Sequence, residues 1–501
     1  MGIGSISFEQ EPVDTADKVP VITNWNPMIG YMLYQNDISG LFYFRLILEV
    51  RLDDASGTLI GKIKQRRNGY SEDNNGATQR ARAFFDLRQI VNTQLVNTVI
   101  DQNPTGDSGS QGIPIQPIHK LGANNYDLAG GDKFIFSVNG DNRTDKTQVQ
   151  TIYVKGYQQY SSSVSAIPSE ETTPTVNDTL RYIAASLPLL TARDTDSDYI
   201  QGTAFQAYQG SSATDLFLSD VKEGTGEYNI SGLINYIQDT DYHTVAFLND
   251  YGNFASDIDT LIIKYYDSSN SLIGSLQTIP QLAAYGGWTP LTSLGMEDKH
   301  RLLYFGCGAG NLEAQSVVTA ARPSNFANWA YYTVQGAGGL DVSYAARTKE
   351  YYFIKQDGSC KGFKVRRLAW RNSLGCYDYF NFKMKSTQTI EVTRNNYNTI
   401  MGRFNASKWY YNNTMRGKTT REVTAVLKET LNTDWITEDQ AYLLEKLIMS
   451  TDVYIVENAD TEFTQGVMVT DSSIVKKTVA NDKMIQYTIQ IEYANNVNTN
   501  S

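Results

Sequence analysis

FYFRLILEVRLDDASGTLIGK, residues 42–62, carries the clearest structural signal in the chain. Phe42, Phe44, Leu46, Leu48, Val50 and Leu52 take alternate positions, opposite Tyr43, Arg45, Ile47, Glu49 and Arg51. Successive side chains of a strand point to opposite faces, so this alternation predicts a half-buried β-strand. Asp53-Asp54-Ala55-Ser56-Gly57 follows, a run of residues that tolerate positive φ, and 58–64 is again β-type, so the whole reads as a hairpin.

Working outward, the same phrase returns. LEVRLDDASGTLIGK (48–62) and LIIKYYDSSNSLIGS (261–275) share an alternating strand, an Asp/Ser turn and the exit Leu-Ile-Gly. Recurrence at this distance fits domain duplication, because solenoid periods run at roughly 20–50 residues. A third strand–turn–strand is expected over 351–365, pivoting on Asp357-Gly358, and shorter β-type runs lie at 134–138 and 151–155. The Ser/Thr/Pro-rich stretch 161–178 lacks periodic apolar spacing and reads as a linker, and a second boundary is placed at the Gly-rich 335–339. Thr437-Glu438-Asp439-Gln440 fits a capping box, followed by Ala441, Leu444, Leu447 and Ile448 at helical spacing. Ile485, Tyr487, Ile489, Ile491 and Tyr493 then mark a closing strand. The expected fold is mainly β with some α: a β-sandwich-like domain over 1–160, a linker over 161–178, a second sandwich-like domain over 179–339 and an α+β assembly domain over 340–501.

At 501 residues the chain has room for about three domains of ordinary size. Charged residues make up 19%, below the roughly 25% of typical soluble domains, and uncharged polar residues fill the difference. Tyr outnumbers Phe by 33 to 19, which suits half-buried interface positions where the ring is covered and the hydroxyl stays hydrogen-bonded. A net charge of −11 argues against nucleic acid and against an anionic membrane surface as partners. Cys307, Cys360 and Cys376 form no disulfide framework and are expected as free thiols of a reducing compartment. Nothing at the N-terminus resembles a standard export signal, and no apolar run is long enough to span a membrane.

Catalytic patterns are sparse. LLYFGCGAGN (302–311) places Gly306, Gly308 and Gly310 after an apolar strand, as a nucleotide-binding loop would. The acid needed for the ribose is missing, since no Asp or Glu lies between Glu313 and Asp341, so a glycine-rich strand or turn is the expectation. His119, His243 and His300 are far apart without metal-ligand spacing and are expected at surface or turn positions. The acidic runs 194–199 and 257–260 lack the frame of a calcium loop and read as solvated turns. KIKQRR (62–67) reads as a solvated sheet edge. No catalytic residue, cofactor or metal is therefore expected, and the chain is read as a non-enzyme.

The most basic stretch is KGFKVRRLAWRN (361–372), followed by YDYFNF (377–382). Arginine beside aromatic residues can stack nucleobases, but the same types are enriched at protein–protein interfaces, and the acidic chain favours the latter. The candidate assembly interface is Lys361, Phe363, Arg366, Arg367, Trp370, Arg371, Tyr377, Tyr379 and Phe380.

The block RLAWRNSLGCYDYF (367–380) and the ending MVTDSSIVKKTVANDKMIQYTIQIEYANN (468–496) resemble virion proteins of tailed phages that look like tail or baseplate components. The resemblance covers chiefly the last third of the chain and supplies no catalytic residues. It implies a structural subunit assembled in the bacterial host cytoplasm into a virion, with further copies of itself and other virion proteins as partners. A carbohydrate-binding or host-adhesion module is the alternative, with a host-surface glycan on Trp and Tyr faces.

Overall fold

A computed structural model describes residues 6–10, 21–23, 29–34, 38, 40–52, 54–66, 70–72, 79–94, 119, 135–137, 149–171, 173–174, 176–183, 207–208, 210, 212–250, 258, 260–273, 277–280, 300–313, 322, 326–338, 345–356, 362–456, 465–471 and 485–494. These residues are mainly β. The chain divides into two compact units, the first Met1–Lys355 with Asn372–Asp378, the second Gln356–Arg371 with Tyr379–Ser501.

In the first unit, Phe42–Leu52 is a central strand, paired antiparallel with Leu59–Arg66 on one side and Val149–Ser161 on the other. Val176–Ile183 continues the sheet beyond Val149–Ser161 and pairs in parallel with Val21–Thr23. A four-stranded sheet runs in the order Ile6–Gln10, Ile29–Tyr34, Gln79–Asp86, Tyr70–Glu72. The two sheets share one core, in which Met32, Ala83 and Phe85 of the smaller meet Leu46, Leu48 and Val154 of the larger. Each of the larger of these side chains, Met, Phe, Leu or Val, contributes roughly 1.5–3 kcal/mol when fully buried. The strand is not half-buried as its alternation predicts, because Ile47 and Glu49 on the other face are buried as well. The carboxylate of Glu49 is tolerated there by Arg51 Nε at 2.6 Å, with Lys62 Nζ at 3.9 Å.

The turn of the quoted hairpin is fixed by Asp54, whose Oδ1 accepts from the Ser56 N–H and hydroxyl, both at 2.7 Å. At Gly57 a Cβ would fall 1.6 Å from the Leu52 carbonyl oxygen, so no other residue fits. Its counterpart uses the same chemistry, with Asp267 Oδ1 accepting from the N–H groups of Ser269 and Ser271 at 2.9 Å. The stretch 161–178, expected as a linker, is folded onto the first sheet. Ser169–Glu170 pairs with Tyr160 and Gln159, Lys64 reaches Glu170 at 3.0 Å, and Val176 already belongs to the next strand. Its Ser-rich composition reflects tight turns, as where Ser161 Oγ donates to the Ser163 carbonyl.

The remaining sheets of this unit are a seven-stranded one, in the order Glu223–Thr225, Ser231–Ile237, Tyr351–Lys355, Tyr331–Gly338, Thr260–Tyr266, Gln277–Pro280 with Ala345–Ala346 beside Tyr331–Gly338, and a three-stranded one of Thr244–Asp250, His300–Gly306 and Ile135–Ser137. Aromatics fill their core, with the rings of Tyr332 and Phe353 stacked at 5.0 Å and those of Phe217 and Tyr351 tilted at 5.0 Å. Of the hairpin expected over 351–365, the first strand forms as Tyr351–Lys355, and the described residues 362–365 hold no second strand. Tyr351–Lys355 pairs within the first unit, whereas Arg366–Arg371 pairs with Val453–Ile455 in the second. Asp357-Gly358 falls outside the described residues.

The second unit is built on a sheet in the order Tyr377–Phe382, Arg366–Arg371, Val453–Ile455, Gln465–Val469, Thr488–Tyr493, Lys418–Asn432, Thr387–Asn398. The closing strand alternates as its sequence predicts, with Ile489, Ile491 and Tyr493 buried and Thr488 and Gln490 exposed. The helix runs Glu438–Met449, and the Thr437 N–H donates to Gln440 Oε1 at 3.2 Å. Its buried residues are Ala441, Leu443, Leu444 and Leu447, so Leu443 takes the place expected for Ile448.

Candidate assembly interface

The block expected to form an assembly surface lies largely inside the protein. Arg366, Arg367, Trp370, Arg371, Tyr377 and Tyr379 are all buried, Phe380 is half-buried, and Phe363, at 39%, is the one exposed member among those described; Lys361 falls outside the described residues. The physical reason is that Arg366–Arg371 has a sheet neighbour on each side, and Arg366 and Arg367 find partners in the interior. Arg366 Nε meets Glu429 Oε1 at 3.0 Å, while Glu429 Oε2 accepts from the Tyr493 hydroxyl at 2.5 Å and Gln388 Nε2 at 3.1 Å. Burial pushes the Glu429 carboxyl up, but hydrogen bonds led by Tyr493, Arg366 and Gln388 outweigh it and hold its pKa below the usual value. Arg367 Nη1 donates to Asn381 Oδ1 at 2.8 Å and its guanidinium lies 5.1 Å from the Tyr379 ring centre. Arg371 differs: its Nε, Nη1 and Nη2 are enclosed without a hydrogen-bond partner.

Exposure is found instead on an adjoining hairpin that no apolar alternation marks in the sequence. Thr387–Asn398 and Lys418–Asn432 pair from Thr387↔Thr430 to Asn398↔Lys418, with a bulge that leaves Arg421 unpaired. Every residue of Thr387–Asn398 is exposed, and along Lys418–Asn432 full burial begins only at Ala425. The hairpin therefore leaves the sheet as a two-stranded arm. Its end is ordered: Arg403–Asn405 pairs with Lys408–Tyr410, Trp409 Nε1 donates to the Met401 carbonyl at 3.1 Å, and the Thr399 N–H donates to the Gly417 carbonyl at 2.9 Å. Gly402 has φ 116°, and a Cβ there would meet Trp409 Nε1 at 2.4 Å, so glycine is required for the indole to close over the turn.

This ordered end shows Ile400 at 82%, Phe404 at 67%, Tyr411 at 63% and Trp409 at 50% exposure. Clustered apolar exposure of this kind, rather than isolated surface residues, marks interaction surfaces. Between 399 and 418 stand Arg403, Lys408, Arg416 and Lys418 and no acidic residue, in a chain of net charge −11. That local reversal of charge is the signal by which sequence alone identifies the arm.

A second unusual surface lies in the first unit. On one face of the seven-stranded sheet, Tyr228, Tyr236, Tyr266 and Tyr352 are half-buried around Tyr331, Ile230 and Ile354. The rings of Tyr266 and Tyr331 stack at 4.8 Å, and Tyr228 stacks on Tyr331 at 6.0 Å. Burial first, and then the charges of Tyr266, Tyr352, Asp267 and Glu350, push the Tyr331 phenol up to about 12. Tyr228 and Asn229 have φ of 58° and 56°, left-handed backbone that a bulky side chain rarely adopts. Such conformations cost of order 1–3 kcal/mol and persist where the surroundings impose them; here Asn270 Nδ2 donates to the Tyr228 carbonyl at 3.1 Å.

Also in the first unit, the turn 372–378 is clasped by the buried carboxylate of Asp378 and the half-buried one of Asp220. Asp378 accepts from Ser219 Oγ at 2.6 Å and the Asp220 N–H at 2.8 Å, and Asp220 in turn accepts from the Ser373 N–H at 2.7 Å and from its hydroxyl. Burial and the neighbouring Asp220 charge push Asp378 up to about 7.

The glycines of 302–311 serve packing. A Cβ on Gly308 would lie 2.4 Å from the His243 nitrogen, and one on Gly310 2.6 Å from the Thr240 carbonyl oxygen, so the backbone of 240–243 fills the space above the loop. His119 and His243 are not at the surface as expected: His119 lies edge-on to Tyr377 at 4.7 Å and His243 to Phe353 at 4.9 Å, both buried as aromatic packing elements. Cys307 and Cys376 are buried free thiols. Among the described residues no three His, Cys, Asp or Glu side chains come together as a metal site requires. Also among the described residues, no helix is long and apolar enough to cross a membrane. The acidic run 194–199 falls outside the described residues, and in KIKQRR both Lys62 and Lys64 pair with Glu170. Compared with known families and characterised proteins, the sequence matches no family model and no curated relative.

Proposed function

We propose that this chain is a structural, non-enzymatic subunit of a bacteriophage virion, a ring or adaptor component of the tail or baseplate that works through contacts with copies of itself and with other virion proteins. The observation that carries the reading is the arm of the second unit, an ordered hairpin whose end holds Ile400, Phe404, Trp409 and Tyr411 in water. Apolar area left exposed on a rigid element favours burial against another surface at roughly 25 cal/mol per Å². In this reading the two sheets that share one core form a sandwich-like module, and the second unit, which carries the arm, is the assembly domain. Assembly takes place in the host cytoplasm, in keeping with the free thiols of Cys307 and Cys376.

The test is the mass and shape of the purified chain by mass photometry and negative-stain microscopy over a range of salt concentrations. Closed rings or defined oligomers are expected, and a chain that remains single throughout refutes the reading. A carbohydrate-binding or host-adhesion module draws on the same half-exposed Trp409 and Tyr410 rings, which a sugar can cover. Retention on a glycan array by a single-copy protein would favour that alternative.

A further inference from the structure

Resting on the structural-subunit reading, we infer that the end of the arm has a specific partner: the tyrosine-lined face of the first unit of a second copy of this chain. The arm end from 399 to 418 carries Arg403, Lys408, Arg416 and Lys418 with no acidic residue, alongside exposed aromatics. The rest of the chain is therefore more acidic than the total of −11. Two such molecules attract one another end to body, and repel body to body.

The face has the matching chemistry. Tyr228, Tyr266 and Tyr352 stand half-exposed around the stacked Tyr331, with the exposed Glu227 on the same turn as Tyr228 and with Asp267 and Glu350 beside them. The phenols of Tyr228, Tyr266, Tyr331 and Tyr352 are all raised, in each case by burial first, with Glu227 adding to it at Tyr228 and Glu350 at the other three. The Tyr266 case also has an opposing contribution from Lys264, which is ion-paired to Glu350. A planar guanidinium fits this setting, because it stacks on aromatic faces while donating to carboxylates and phenol oxygens. Arginine and tyrosine are also the residue types that dominate binding energy at protein interfaces. The strained backbone of Tyr228 and Asn229 holds the turn ready for such a contact.

The contact joins two different surfaces, so it does not satisfy itself. Each copy that uses its arm end still offers a free face, and the association continues until it closes as a ring or runs on as a filament. This gives a physical route to the ring geometry proposed above.

Two full-length variants test it. One reverses charge at the arm end, Arg403→Glu with Arg416→Glu; the other alters the face, Glu227→Lys with Glu350→Gln. Each retains one good surface, so each alone is expected to stay single, while a one-to-one mixture forms pairs and nothing larger. Like charges set opposite one another at an interface cost several kcal/mol, so each variant should weaken self-association about a hundredfold or more. Thermal unfolding at the wild-type temperature establishes that both variants are folded. If the arm-end variant assembles as the wild type does, the inference fails while the structural-subunit reading stands. The inference also fails if both variants are single and the mixture does not pair, or if the arm end instead retains a single-stranded oligonucleotide that the arm-end variant loses. A wild type that never associates refutes both.

Discussion

Two stretches of the second unit, 366–371 and 399–418, have nearly the same vocabulary of arginine and aromatic residues and opposite fates. The first is buried throughout, with Arg366 on Glu429 and Arg367 on Asn381. The second is exposed almost throughout, with Trp409 tied only to the Met401 carbonyl. Composition is the same in kind, and the difference is supplied by distant partners: Glu429 comes from the far strand of the arm and Tyr493 from the closing strand. Arg366 is the arginine of the buried strand to which the fold delivers a carboxylate, and that delivery offsets the cost of burying its charge.

Removing the delivered carboxylate has the largest expected effect. Glu429→Ala removes the carboxylate that the Arg366 guanidinium and the Tyr493 hydroxyl meet in the interior, a loss of about 3–5 kcal/mol from the second unit. Hydrogen exchange of the amides in Arg366–Arg371 and Thr488–Tyr493 should accelerate accordingly. Protection unchanged to within about 1 kcal/mol would mean that Arg366 is held by something other than Glu429.

Asp378 offers the converse case, a buried carboxyl facing another acid instead of a cation. Its folded-state pKa, about 7, lies above the ordinary value near 3.8. Below pH 4 it is protonated folded and unfolded alike and has no effect on the balance. Between about 4 and 7 the unfolded chain has released the proton that the folded chain retains, so the first unit loses stability as pH rises, by at most about 1.4 kcal/mol per pH unit. Glu429 runs the other way, since its depressed pKa gives stability that is present above the ordinary value near 4.5 and lost as pH falls below it. Thermal scans of Asp378→Asn are expected to show a higher midpoint than the wild type at pH 8 and none of the decline between pH 4 and 7. A wild-type midpoint flat over that window would show that the carboxyl ionises freely.

Within the buried strand itself, Arg366 and Arg371 sharpen the point. Arg371 has no hydrogen-bond partner for any of its three guanidinium nitrogens, so it bears the desolvation cost without compensation. Arg371→Met keeps the stem and removes the charge, and is expected to raise the stability of the second unit by about 1–3 kcal/mol in urea denaturation. A loss would reveal a partner for the guanidinium in solution.

Legibility in the sequence followed the same division. The strand at 42–52, the closing strand at 485–493 and the helix beginning after Thr437 were all readable, since each has a buried face whose period the apolar residues record. The arm had no such record. Thr387–Asn398 is exposed on both faces, so Ile390 and Val392 stand among Thr, Asn and charged residues with no core to enforce alternation. The candidate interface was misplaced for a related reason: the pairing of Arg366 with Glu429 spans 63 positions, beyond anything that local pattern reports. Nothing local to His119 or His243 marks them as interior, because each packs against an aromatic ring far off in sequence. What did remain visible was the absence of acid from 399 to 418, a charge signal that needs no core to be read.

The smallest expected effect on folding falls at the arm end, and this is what separates it from the strand that shares its composition. Trp409 is half exposed and makes one hydrogen bond, to the Met401 carbonyl, so Trp409→Ala removes little buried area and leaves that carbonyl open to water. Surface substitutions of this kind stay within about 0.5 kcal/mol, and the thermal midpoint of the second unit should barely move. The oligomer distribution in mass photometry should nevertheless shift strongly toward single copies, because an aromatic anchor at the centre of an interface commonly contributes about 2 kcal/mol or more to association. A Trp409→Ala protein that melts as before yet no longer associates would place the function of this residue outside its own fold. One that melts much lower would mean that the arm is a stabilising element of the second unit, and that its exposed aromatics serve the monomer.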